Sequence, residues 1–408
     1  MSITSKNRYR ILFFLLLSMG IVLIYDSYHA RIPFSIERAA LWVPRFDYTT
    51  QDDVKQIIKN AAETGFTDVF FQVRGNGTVF YPSQYEPWAQ DLHAGDLDKL
   101  GENPDWNPLQ LAIDEAALYD IRLHAYINVL PGWKGRSKPP LGRGQPWADH
   151  PDWFMKDAEG NTMQPTSGWY TFLNPAHPDV IHHLSGLIRE IIQYPVAGIH
   201  LDYIRYPFDY VSLVHEIYPD VPREDLNRYA DFSYDTYTEA QMHKLTGSNR
   251  SKEARMHVKT AIIANLVDEL SRSMKRINTN AILSASVLGN PIDAQWHAGQ
   301  VASDWVSRGT LDWAVQMNYG RDTFSLHADR FARSLSKRQK KNHWIMGITT
   351  KSPTWDIKSQ FQSLAKYRCK GVAFFSYGLL YDEHRFTKKS RLIQDLLDAH
   401  IVQKTEQD

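Results

Sequence analysis

The chain has 408 residues, 43% of them hydrophobic, which is enough for a large core in one domain or at most two. Lys plus Arg and Asp plus Glu balance at 46 each, so no net basic field favours phosphate groups and nucleic acid is not an expected partner. The single Cys369 excludes an intramolecular disulfide and a cysteine-built zinc site.

Lys6, Arg8 and Arg10 precede an apolar run, Ile11 to Tyr25, that meets Asp26 and a linker reaching Pro33. The run is about 15 residues, short of the ~20 that span a bilayer comfortably and within the range of a signal-peptide core. Residues 1–30 therefore read as an export or anchoring segment. Ser27-Tyr28-His29-Ala30 is a poor small-x-small cleavage site, and no lipobox cysteine is present. The expectation is an uncleaved membrane anchor, positive charges inside, with a cleaved signal peptide as the other reading. Either places residues 31–400 in the cell envelope, facing the periplasm or exterior, with 401–408 as a tail.

A first strand is expected over Arg38 to Arg45, followed by Thr50 as a helix N-cap, Asp52 and Asp53 in the first turn, and Gly65 as the stop. Strand two covers Asp68 to Gly75. A helix over Asn107 to Tyr119 leads to strand three, Arg122 to Asn128. The long loop Val129 to Pro175 is rich in Trp, Pro and Gly, and a loop of that length suggests function. Helix Pro178 to Tyr194 then delivers the chain into strand four, residues 197 to 207, which Gly198 opens and Pro207 closes. After an excursion from Phe208 to about Arg255, the helix His257 to Arg276 leads to strand five, Ala281 to Leu288. Val301 to Ser307, Leu326 to Ser336, Asp356 to Tyr367 and Lys388 to Ala399 are the remaining helices. They alternate with strands Thr310 to Tyr319, His343 to Thr349 and Lys370 to Gly378. Eight strand-helix units in strict alternation predict a parallel (β/α)8 TIM barrel of class α/β with long βα loops. A doubly wound sheet is the alternative, but Pro44-Arg45-Phe46-Asp47 is not the Gly-rich turn a dinucleotide needs.

In such a barrel the active site lies at the C-terminal strand ends. Period-two alternation puts Gln72 and Arg74 on one row, then His124, Tyr126 and Asn128, then His200 and Asp202, then Gln316 and Asn318, and finally Ser376. A lumen built only for stability would hold Val, Ile and Leu, so these rows suggest a polar ligand site. Trp42, Trp313 and Trp344 fall in strands and Trp305 in a helix, where packing explains them. Trp88, Trp106, Trp133, Trp147, Trp153, Trp169, Trp296 and Trp355 all fall in loops that follow strands. Gathered at a barrel mouth, such rings suit the flat apolar faces of sugars.

A carboxylate at a strand end, a polar cleft and aromatic loops together suggest glycoside chemistry. Asp202 would act as general acid or substrate-polarising carboxylate, tuned by His200 or Arg205. A second carboxyl group is usual, and Asp293, Asp322, Asp356 and Glu86 are its candidates. A substrate acetamido group acting as nucleophile would be the way round its absence. There is no His-Glu-x-x-His, Gly-x-Ser-x-Gly or phosphate loop, and adjacent His182 and His183 do not share a helix face, so neither metal nor cofactor is expected.

Gly198-Ile-His-Leu-Asp-Tyr-Ile-Arg-Tyr-Pro207, Phe71-Gln-Val-Arg74, Tyr81-Pro-Ser-Gln-Tyr-Glu-Pro-Trp88, Leu123-His-Ala-Tyr-Ile-Asn128, Leu173-Asn-Pro-Ala-His-Pro-Asp179 and Trp305-Val-Ser-Arg-Gly-Thr-Leu-Asp-Trp313 resemble the bacterial glycosyl-hydrolase-like 10 family. The resemblance implies a (β/α)8 barrel hydrolysing O-glycosyl bonds in envelope polysaccharide, such as peptidoglycan strands. It aligns Asp202 with the family's strand-four aspartate, and Gln72, Arg74, His124, Asn128, His200, Gln316 and Tyr319 with its cleft residues. Arg205, Asn318, Trp133, Trp355 and Tyr377 complete the expected substrate contacts. The chain departs from the family at Tyr203 and Thr78, where many members carry Asp. Tyr203 is expected to point away from Asp202, and Thr78 raises the alternative of a catalytically silent glycan-binding barrel.

Overall fold

The computed structural model describes residues 34–207, 211–222 and 224–402. The N-terminal apolar segment and most of the tail lie outside them. Among the described residues, no helix is long and apolar enough to cross a membrane.

Eight parallel strands close into a barrel in chain order: β1 (Arg38–Val43), β2 (Asp68–Arg74), β3 (Arg122–Asn128), β4 (Gly198–Asp202), β5 (Ile282–Leu288), β6 (Trp313–Met317), β7 (Trp344–Thr349) and β8 (Gly371–Phe375), which pairs back to β1. The strands are short and buried on both faces, as a parallel sheet covered by helices requires. The outer layer contains α1 (Gln51–Thr64), α2 (Pro108–Leu118), α3 (Pro178–Ile191), α4 (Lys252–Lys275), α5 (Ala302–Ser307), α6 (Phe324–Ser334), α7 (Thr354–Gln362) and α8 (Lys388–His400). Thr50 caps α1 in a reciprocal box with Asp53, and Asn107 caps α2 ahead of Pro108, so both starts follow from local chemistry.

Several elements differ from expectation. Strand β4 ends at Asp202, because Tyr203 adopts a left-handed φ of 52°. The loop after β3 contains a two-stranded antiparallel sheet, Pro131–Lys134 with Tyr170–Phe172. The excursion after β4 contains a helix at Thr236–Thr246.

The lumen is aromatic where many barrels are aliphatic. Trp42, Phe70, Tyr126, Trp313 and Val315 form its packed layer, with the His200 ring stacked on Phe70 at 4.0 Å. Gly198 admits the close approach of β5 there, since a Cβ would stand 2.1 Å from the Ile282 carbonyl oxygen. At the lower end Asp68, the first residue of β2, accepts from His124 Nε2 at 2.8 Å and pairs with Arg122. Burial pushes this carboxyl up, but the His124 hydrogen bond and the neighbouring cations outweigh it and bring it down to about 2.

Candidate active site

A cavity of about 490 Å³ opens at the C-terminal ends of the strands. Its floor and walls come from residues at or just past the ends of seven strands: Trp42 and the turn after β1, Gln72 on β2, Tyr126 and Asn128 on β3, Asp202 on β4, Ser286 on β5, Met317 and Tyr319 on or after β6, and Phe375 and Ser376 at β8. Tyr170, from the small sheet after β3, adds a further wall. A smaller cavity of about 290 Å³ beside α5 and α6 has no acidic side chain in its lining.

Asp202 is brought to the cavity as expected. The Tyr126 hydroxyl donates to its Oδ2 at 2.9 Å, and the Tyr203 backbone N–H donates to Oδ1 at 2.7 Å. Burial nevertheless raises the Asp202 carboxyl above the ordinary carboxylate range, against the opposing effects of the Arg205 charge and these two donors. The left-handed turn at Tyr203 also corrects the expectation for its side chain, which lines the same cavity as Asp202. A β-strand continuing past Asp202 would have sent it to the other face.

The second acidic group in the cavity is Asp47, which the sequence reading did not single out. It ends a single 3-10 turn, Arg45–Asp47, directly after β1, and its Oδ2 accepts from the Gly378 backbone N–H at 3.2 Å. Burial raises the Asp47 carboxyl to about 6, only partly offset by that N–H and by His384. The available signal was positional, an acidic residue on the turn after a strand. Arg45, Phe46, Ser286 and Met317 were also missed and line the cavity.

None of the four carboxyl groups expected to partner Asp202 lines this cavity. Glu86 is buried in an ion pair with Arg74, 2.6 Å from Nη2, and also meets His183 Nε2 at 3.0 Å. Asp293 accepts from Asn290 at the cap of a short turn, Asp322 is exposed, and Asp356 is buried in α7.

Several expected substrate contacts are structural instead. A register shift between Gln72 and Arg74 breaks the alternation on β2, so Gln72 pairs with Tyr126 but Arg74 pairs with Ile127. Arg74 thereby leaves the lumen row and binds Glu86 and the carbonyls of Asn128 and Val129. On β6 the phase is inverted: Trp313 and Val315 occupy the lumen, while Gln316 donates to the Gly289 and His327 carbonyls and accepts from Trp344. Asn318 is tied to the Phe324 carbonyl, and the chain presents Met317 and Tyr319 to the cavity in place of these amides. His124 belongs to the lower end with Asp68. His200 lies beneath the cavity, where Trp42 Nε1 donates to its Nε2 at 3.0 Å. An indole can only donate, so that nitrogen carries no proton and Nδ1–H serves Ser284 Oγ at 2.9 Å. Burial holds this imidazole well below its ordinary range and therefore neutral.

The eight loop tryptophans do not line the cavity. Trp106, Trp147, Trp153 and Trp169 pack loops onto the core, Trp133 is buried with its indole N–H on the Ser137 carbonyl, and Trp355 is exposed beneath Arg321. Tyr377 is likewise structural, bonded to Asn60 and His384. The aromatic walls are instead Trp42, Phe46, Tyr126, Tyr170, Tyr203, Tyr319 and Phe375. Thr78 is fully buried and away from the cavity, so this departure from the family removes no group from the cavity lining.

The family model described as Glycosyl hydrolase-like 10 matches residues 39–363. Glycosyl hydrolase DigH of Escherichia coli (strain K12) is 28% identical over 293 residues, which cover 65% of this chain and 57% of that protein. Glycosyl hydrolase YngK of Bacillus subtilis (strain 168) is 24% identical over 186 residues, covering 44% of this chain and 33% of that protein. The match thus takes in about half or less of these relatives' own length. Among solved structures, the PgaB (BpsB) glycoside hydrolase domain from Bordetella bronchiseptica superposes with a TM-score of 0.60 at 11% identity, covering 89% of this chain and 99% of that domain. The β-amylase catalytic domain from Paenibacillus polymyxa gives 0.59 at 10% identity, covering 89% and 98%; both likenesses concern the fold alone. The extent of the family match shows that the chain belongs to the glycosyl hydrolase-like 10 family.

Proposed function

We propose that the protein is a glycoside hydrolase acting on an N-acetylated envelope glycan, with peptidoglycan strands as the first substrate to test. The observation that carries this reading is the pairing in one cavity of two carboxyl groups in different environments. Burial raises both carboxyl groups above the ordinary carboxylate range, Asp47 to about 6, and each has its own donors: the Tyr126 hydroxyl and the Tyr203 N–H for Asp202, the Gly378 N–H for Asp47. Two carboxyl groups in one cavity support the two-carboxylate scheme, with Asp202 at the strand end as the acid and Asp47 as its partner. Asp202 gives its proton to the glycosidic oxygen as the bond from that oxygen to the anomeric carbon breaks. Asp47 stabilises the developing oxocarbenium ion and delivers its replacement, by deprotonating an attacking water or by bonding to the carbon itself. Tyr126, donating to Asp202, fixes the acid's orientation and later steadies its carboxylate.

Aromatic walls favour saccharide rings, and the buried Asn128 Oδ1, which has no protein partner, is an acceptor available to a sugar hydroxyl or an acetamido N–H. Hydrolase names among the relatives agree with the reaction class. Placement in the envelope rests on the charge and apolar pattern of residues 1–30. The test is release of reducing ends from purified peptidoglycan glycan strands by the protein from Arg31 onward, beside its D202N and D47N variants. Release that both substitutions abolish supports the proposal. Equal glycan retention by all three proteins without release would replace it with a binding barrel.

A further inference from the structure

At the lower end of the barrel, the segments that lead into the strands carry Arg276 before β5, Lys337, Arg338, Lys340 and Lys341 before β7, and Arg368 before β8. Residues 276–281, 335–343 and 364–370 contain no acidic residue, although acidic and basic residues balance over the whole chain. Strands β5 to β8 are neighbours, so these cations share one sector of the rim, and β8 pairs with β1, where the described chain enters at Phe34. All but the half-buried Lys340 are exposed, and among the described residues none of the six makes an ion pair. The other cations of this sector are engaged: Lys275 with Asp312 at 2.9 Å, Arg308 with Asp268 at 2.7 Å and Lys370 with Glu37 at 2.6 Å.

Four of the six lie on the short helix Lys337–His343. A Ser336–Gln339 capping box holds it, Gln339 Nε2 donates to Ser307 Oγ at 2.9 Å, and His343 Nδ1–H donates to the Asp312 carbonyl at 2.8 Å. Lys340 and Lys341 near its C-terminus suit the helix dipole, but Lys337 and Arg338 stand in the first turn, where the dipole disfavours cations. Helix stability therefore does not account for them. Ile277, beside Arg276, is 46% exposed, and Leu118 and Tyr119 are exposed before β3 at the same end of the barrel.

We propose that this lower rim is a docking face for an anionic phospholipid surface, so that the barrel stands with its cavity turned away from the membrane. The inference is independent of the reaction in that cavity. It uses the reading of residues 1–30 as an anchor: Asp26 to Pro33, eight residues between the apolar run and Phe34, can span at most about 29 Å. Such a tether delivers the rim beside β1 to the lipid. Headgroup charge reaches only about 8 Å at physiological salt, so it acts on this end and not on the cavity mouth, about 20 Å of strand away. The cations meet lipid phosphates, and Ile277, Leu118 and Tyr119 enter the boundary between headgroups and acyl chains.

The barrel closes wholly within the described residues, so the protein from Arg31 onward separates this face from the anchor. Its co-sedimentation is measured with vesicles of phosphatidylcholine alone and with about 30% phosphatidylglycerol, at about 0.1 M and about 0.5 M NaCl. Anionic vesicles should bind at least about 100-fold more tightly than neutral ones, and high salt should remove the preference. The combined K337E, R338E, K340E and K341E variant should bind both vesicle types within about threefold of each other, and R276Q with R368Q should lose about tenfold. Circular dichroism verifies folding, and the wild-type lipid preference tests the proposal even where a variant does not fold. With the full chain in the same vesicles, tryptic cleavage after Lys340 and Lys341 should be about tenfold slower when phosphatidylglycerol is present. Equal binding to the two vesicle types, or anionic binding that the fourfold charge reversal leaves unchanged, would overturn the proposal. Soluble polyphosphate that binds this face more tightly than the vesicles do would also overturn it and assign the rim to a dissolved polyanion.

Discussion

The backbone N–H of Gly378 donates to the Asp47 carboxylate at 3.2 Å, joining residues 331 positions apart across the β8-to-β1 closure of the barrel. A Cβ on Gly378 would stand 2.5 Å from Asp47 Oδ1, so the glycine makes room for the acid as well as holding it. Gly378→Ala should displace the carboxylate and lower kcat by about 10- to 100-fold, since misplacing a catalytic group by about an ångström has effects of that size. Steady-state kinetics on a glycan substrate, with circular dichroism to confirm folding, would check this; an unchanged kcat would remove Asp47 from the mechanism.

Asp47 also sets an expected pH dependence. Its ionised form is required, so kcat/KM should rise with pH through a midpoint at about 6, and D47N should lose about 10²- to 10⁴-fold in rate. The stability effect has the opposite sense. Because the folded-state value is raised above the ordinary carboxylate value, the native chain holds more protons between about 4 and 6, and the Asp47 contribution to stability declines as pH rises through that window. Urea unfolding at pH 4 and pH 7 should show a smaller decline in D47N than in the wild type.

Tyr126→Phe removes the hydroxyl that donates to Asp202 Oδ2. That bond favours the ionised carboxylate, so its loss should raise Asp202 further and move the alkaline limb of the pH–rate profile upward, with maximal rate changed by only about threefold. An unmoved alkaline limb would argue against Asp202 as the acid.

Glu86 is a structural residue, and its substitution should separate stability from chemistry. E86Q leaves Arg74 buried beside a neutral amide, at a cost of about 3–5 kcal/mol in urea unfolding, while kcat of the folded protein stays within about twofold. Burial raises the Glu86 carboxyl, but the Arg74 charge and His183 outweigh this and depress it overall. Its stabilising effect is therefore present above the ordinary carboxylate value and lost as pH falls through the depressed one. Acid unfolding of E86Q should lack that component.

The sequence by itself determined the eightfold alternation, the position of every barrel strand along the chain, and the placement of Asp202 at a strand end. These follow from local rules: caps such as Thr50 and Asn107, apolar runs of strand length, and the tendency of strand-helix units to pair in parallel. Gln72, Asn128, Arg205 and Tyr319 were also legible as cavity residues. The tertiary structure alone decided which way the other polar rows face. Alternation is a local period of two: one extra residue between Gln72 and Arg74 reverses the row on β2, while on β6 the alternation is unbroken but its apolar row, Trp313 and Val315, faces the lumen and Gln316 faces away. Both polar side chains are tolerated off the lumen because Arg74 finds Glu86 and Gln316 finds the Gly289 and His327 carbonyls, partners from other segments. The second acid was hidden for the same reason: Asp47 has little local signature, and its place in the cavity and its raised carboxyl depend on burial and on Gly378 arriving from the other end of the chain.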